Sequence, residues 1–193
     1  MGFDEKMAST RAALIAAIRD APDDDDARLI CADWFEDQGD EANVGRAEFI
    51  RTQLQSESLA PNDPRQVELY ARELRLLKAY GRQWCGSHFL FKRARFRRGF
   101  IEYVHLHLNH YLHHRRQLAE LEPVRDVSFT GWYRSPVEMV ERVARCEELS
   151  HLEKIRIHHR GPHKHPRGSV LSLLESPNLR QLKKLELETV ELL

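Results

Sequence analysis

One spacing constrains this chain more than any other. An apolar pattern, L-x-x-L-x-x-L-x-L, occurs three times in the C-terminal half. Its copies are Leu121, Val124, Val127, Phe129; then Leu149, Leu152, Ile155, Ile157; then Leu179, Leu182, Leu185, Leu187. Corresponding positions lie 28 and then 30 residues apart, at the long end of leucine-rich periods of about 20–29 residues. An earlier copy fits Ile101, Val104 and Leu106, with Asn109 where the strand closes; Trp132, Arg160 and Val190 hold that place in the others. The alternating apolar pairs at 104/106, 127/129, 155/157 and 185/187 predict short parallel strands with one buried face. Helical stretches are expected between them, at 111–120, 136–148 and 169–176. Strand and helix alternating at a near-constant period predict a short solenoid over 99–193. A compact α/β domain of short βα units is the alternative. Ile155 and Leu185 are expected to be buried in adjacent strands.

The N-terminal part reads as helices. Met7, Leu14, Ile15 and Ile18 recur at helical spacing up to Ala21-Pro22, and the residue before proline avoids the helical region. Asp23 to Asp26 follow. They lack the glycine and terminal glutamate of a calcium loop and read as cap and first-turn charges of the next helix. That helix carries Leu29, Ile30, Trp34 and Phe35 and stops at Gly39, with Trp34 expected in the core near Phe49. A third helix is expected from Arg46 to about Ser56. A fourth is expected from Arg65 to Tyr80, closed by Gly81.

The strings APDDDDARLICADWFEDQGD (21–40) and RAEFIRTQLQ (46–55) resemble the repeat-companion domain of planctomycete bacteria, a short helical module. The likeness runs from about Ala12 to Gln55, with EANV (41–44) standing as a small insertion. The resemblance implies that leucine-rich repeats follow the module, and it implies no defined chemistry. The expected organisation is α+β: an all-helical module at 1–82, a basic aromatic linker or cap at 83–98, and a leucine-rich-repeat-like α/β solenoid with parallel strands at 99–193.

In such strands the residues between the apolar positions form the exposed face that solenoids offer to partners. Here that face is Tyr103, His105 and His107; Asp126, Ser128 and Thr130; Lys154, Arg156 and His158; Lys184, Glu186 and Glu188. A partner-free, solvated face is the plain alternative. All eleven histidines fall between His88 and His165, and His110 and His114 stand one helical turn apart. A zinc site needs three or four converging ligands. No H-E-x-x-H and no cysteines at ligand spacing occur, so histidine-based metal binding ranks third and no metal or cofactor is expected. No nucleophile elbow or phosphate loop is present, and no enzymatic activity is expected.

Charge is balanced overall, thirty basic against thirty acidic residues, which excludes a simple polycation. It is sorted along the chain: −8 over 1–50, +7 over 51–100 and +1 over 101–193. The stretch FLFKRARFRRGF (89–100) interleaves Lys92, Arg93, Arg95, Arg97 and Arg98 with phenylalanines. Cations that hold phosphates and rings that stack on bases make it the nucleic-acid candidate. The structural rival is that its rings cap the repeats and its arginines pair with the acidic module. Three cysteines give no disulfide framework. No apolar run approaches the roughly 20 residues of a membrane span, and the N-terminus lacks the order of a signal peptide. A cytoplasmic protein without a membrane partner is expected. Its reading is protein–protein interaction through the strand face, with weak self-association at the C-terminal strand edge.

Overall fold

The computed structural model describes residues 3–86, 93–132, 135–160 and 167–190. The chain divides into two compact units, Met1–Ile101 and Glu102–Leu193. It is a mixed α+β protein, with seven α-helices among the described residues and one five-stranded, mostly parallel sheet. Among those residues no helix is long and apolar enough to cross a membrane.

The first unit is built on α1 (Phe3–Asp20), α2 (Asp26–Asp37), α3 (Glu41–Ser58) and α4 (Arg65–Trp84), followed by β1 (Ala94–Arg97). Ile15, Ile18, Cys31, Ala32, Phe35, Ala47, Ile50, Leu54 and Phe100 form its main core. Phe49, Leu76 and Trp84 form a second cluster, with Phe96 against it. Trp34 is not the core residue expected. Phe35 takes that place, and Trp34 packs half-buried and edge-on to it, ring centroids 5.0 Å apart. Phe49 stacks instead on Trp84 and Phe96, at 5.2 and 5.3 Å. Neighbouring aromatics point about 100° apart on a helix, and the α3 contact selects Phe35.

Gly81 also departs from expectation. It is buried inside α4, which runs on to Trp84. Trp84 donates its indole N–H to the Ala42 carbonyl at 2.9 Å, and that packing outweighs the roughly 1 kcal/mol helix cost of glycine. Residues 41–44 form the first turn of α3. Asp40 caps it, accepting from the Asn43 backbone N–H at 3.1 Å. Asp40→Ala is therefore expected to lose about 1 kcal/mol in urea unfolding, whereas Glu41→Gln is expected to change little.

The second unit carries the repeats. β2 (Phe100–His107), which starts at the division, leads through α5 (Leu108–Leu121) to β3 (Asp126–Thr130). α6 (Val137–Ala144) and a 3-10 turn (Glu147–His151) lead to β4 (Lys154–Arg160), and α7 (Arg167–Leu174) leads to β5 (Lys184–Val190). The sheet order is β1-β2-β3-β4-β5, and β2 to β5 are parallel. Strand entries share one pattern: Arg125 N–H donates to the Glu102 carbonyl, Lys154 to that of Arg125, and Lys184 to that of Glu153, each at 3.0 Å.

Val104, Leu106, Val127, Phe129, Ile155 and Ile157 are all fully buried. Ile155 pairs with Leu185 in register. Leu185, however, is only half-buried and Leu187 is 52% exposed. β5 is an outer strand of the sheet, so its apolar side has a neighbour on one flank only among the described residues. Trp132, at a position where asparagine would close the strand, is fully buried beside Phe129. Leu192 and Leu193 lie outside the described residues.

Candidate functional site

Side chains alternate across a strand, and β2 to β5 are in register. The residues between the buried apolar pairs therefore line up in rows on the other face. Tyr103 pairs with Asp126, Asp126 with Lys154, and Lys154 with Lys184. The next row runs His105, Ser128, Arg156, Glu186. Above it, His107 pairs with Thr130 and His158 with Glu188. The expected face residues are thus brought together. Ser128 is the exception in exposure: it is fully buried beneath its neighbours.

Ion pairs knit the rows. Arg156 donates to Glu186 at 2.9 Å and to Asp126 at 2.7 Å, and its guanidinium lies 5.2 Å from the centre of the Tyr103 ring. Lys154 and Lys184 reach the same Glu186 carboxylate at 2.8 and 2.7 Å. Hydrogen bonds from Lys154, Lys184 and Arg156 hold Glu186 down to about 2. Asp126 is shifted the other way: burial raises it, against the pull of Arg156 and Lys154.

The two shifts have opposite signs in stability. Glu186 contributes stability that is present above the usual glutamate range and lost as the pH falls toward about 2. The contribution of Asp126 is present below the usual aspartate value and lost as the pH rises through its raised one. Glu186→Gln is expected to flatten the loss of stability between about pH 4.5 and 2, and Asp126→Asn to remove a loss of stability that sets in as the pH rises above the usual aspartate value of 3.8. Urea midpoints measured from acid to neutral pH check both signs.

Ser128 ties two imidazoles. Its Oγ lies 2.9 Å from His105 Nδ1 and 2.5 Å from His158 Nε2, and His158 Nδ1 lies 3.0 Å from Glu188. With the Nδ1 proton of neutral His158 directed at Glu188, Nε2 accepts from the Ser128 hydroxyl, which then accepts from His105 Nδ1–H. Serine, histidine and glutamate have here the connectivity of a nucleophile–base–acid relay. The fully buried Ser128 Oγ offers no approach to a substrate carbonyl, and the group acts as a clamp on two rings 5.2 Å apart. Sequence reasoning placed these residues on one face and missed this diagonal tie. It depends on how the His158 side chain leans, for which spacing carries no signal.

The basic stretch is placed differently. Lys92 lies outside the described residues; Arg93 and Arg95 are exposed. Arg97 donates to Glu57 at 3.0 Å. Arg98 is buried, donates to the Pro22 and Asp23 carbonyls at 2.7 and 2.9 Å, and pairs with Asp25. Asp23 to Asp25 thus form a turn stapled by Arg98; Asp25 makes no side-chain cap on α2, whereas Asp26 is the expected acidic charge in its first turn. Among the described residues no group of three or more histidines, cysteines or carboxylates is arranged to hold a metal ion. His163 and His165 lie outside them. The three cysteines are buried, and burial pushes the Cys146 thiol up to about 11.

No family model, no curated protein and no solved structure matches this chain.

Proposed function

We propose that this chain is a non-catalytic protein-interaction module of the repeat-companion type. In this reading a helical segment precedes a short leucine-rich-repeat-like solenoid, and the polar face of β2 to β5 takes the partner. The observation that carries it is the register of that face, where three rows of polar side chains stand over an apolar layer that is fully buried in β2 to β4 and half-buried or exposed in β5. Its charges are largely satisfied within one partly buried network, in which Glu186 meets three cations and Arg156 two carboxylates. The rows therefore give a fixed pattern of donors, acceptors and rings more than a field, which suits a specific protein surface over a generic polyanion.

Capture from a lysate of cells expressing the chain tests the reading. A variant combining His107→Ala, Lys184→Glu and Glu188→Lys changes three exposed face residues. It is expected to lose at least about tenfold of the proteins retained by the wild type, at unchanged circular dichroism. An identical set on both would refute the assignment of the face. Nucleic acid is the competing partner. Binding to random DNA or RNA at physiological salt, falling linearly in log salt, would replace the proposal with that reading.

A further inference from the structure

α4 is apolar on two sides. Toward α3 it buries Leu69 and Leu76 and spends its polar groups locally, with Arg72 on Glu48 at 2.5 Å and Glu73 accepting from Gln53 at 3.0 Å. On the outer side Val67 is 75%, Tyr70 62% and Leu74 48% exposed, with Ala71 exposed between them. These four fall within about 100° of arc on a helix, at the i, i+3, i+4, i+7 spacing of a helix–helix seam. Glu68, Arg75 and Lys78 flank or continue the stripe, are exposed, and make no ion pair among the described residues. The charges on the α3 side are spent, and those on the outer side are not.

We infer that this stripe docks on itself: α4 of a second copy of the chain lies antiparallel across it about a two-fold axis. Centring the axis between residues 70 and 71 sets Val67 over Leu74 of the second copy, and Tyr70 over its Ala71. Each large ring then meets a small residue, twice by symmetry, as an isologous contact requires. The same placement brings Glu68 within one helical turn of Arg75 of the second copy, at both ends of the seam. A parallel pairing would instead set Tyr70 level with Tyr70 and leave Glu68 and Arg75 of the two copies on opposite flanks of the seam. Seven residues span only about 10 Å, so the contact is small and a micromolar dissociation constant is expected.

Sedimentation equilibrium of the full chain, from about 1 to 200 μM, reads this directly. The wild type is expected to dimerise. Tyr70→Glu and Leu74→Glu are each expected to weaken the dimer at least about a hundredfold with an unchanged thermal midpoint, since both positions are exposed. Glu68→Arg and Arg75→Glu are each expected to weaken it several-fold alone. An equimolar mixture of these two variants is expected to restore it, because one ion pair then re-forms with reversed sign and the other re-forms as in the wild type. Leu187→Lys is expected to leave it intact. A wild type that stays monomeric at 200 μM would overturn the inference. So would a dimer that survives both α4 glutamates, or a pair of charge variants that does not recover on mixing.

Discussion

Replacing Ile155 with aspartate is expected to remove about 4 kcal/mol of stability, the largest effect of any single exposed-to-buried comparison in the second unit. Ile155 is fully buried in β4, between Val127 on one side and Leu185 on the other. Lys154, Arg156 and Lys184, the cations in register around it, stand on the opposite face of the sheet. Leu187→Asp, two residues further along the matching strand and 52% exposed, is expected to cost less than about 1 kcal/mol. Urea unfolding of both variants checks the contrast. Equal losses would mean that β5 is as deeply covered as β4, and no loss for Ile155→Asp would remove the buried apolar layer from the account.

Gly99→Ala is expected to cost about 3 kcal/mol, from two separable causes. Arg98 and Gly99 both have positive φ, 49° and 87°, as the two central residues of a type I′ turn do, and they carry β1 into β2. A Cβ at Gly99 would sit 2.3 Å from Ile50 Cγ1 and 2.7 Å from Ile50 Cα, so backbone as well as side chain would have to move. The Gly99 N–H also donates to Gln53 at 2.7 Å, which resists a shift of the turn. Gly39 supplies the control. Its φ is 76° and nothing lies within 4 Å of its would-be Cβ, so Gly39→Ala is expected to cost only the left-handed strain of about 1 kcal/mol. The difference between the two variants, read from urea midpoints, isolates the close approach to Ile50.

These positions also mark how far the sequence can be read. The buried pairs at 104/106, 127/129 and 155/157 were legible because strand alternation has a period of two. The rows across the face were legible because equal places in the repeats become register partners. Leu185 and Leu187 follow the same template yet are less buried, since burial depends on which neighbours flank a strand and periodicity is silent on that. Arg28 shows a different limit. A charged residue of α2 that no apolar pattern marks for the core, it is fully buried, donating to the Pro22 and Arg98 carbonyls at 3.0 and 3.3 Å, over the Phe100 ring. Only the return of the chain at 98–100 creates that site. Arg98 itself sits where a two-residue hairpin favours asparagine, and its contacts to the 22–25 turn offset the strain. Read as part of a basic aromatic stretch, Arg98 and Gly99 gave no signal of this turn or of the staple.

Site-specific photocrosslinking in cells tests the central claim, that the polar face of β2 to β5 receives the partner. A benzophenone amino acid is placed at His107 or Glu188, both exposed on that face, and at Arg116 or Arg142, both exposed on α5 and α6. Discrete protein adducts are predicted from positions 107 and 188, and none from 116 and 142. Adducts confined to the helical positions, with the face silent, would contradict the account.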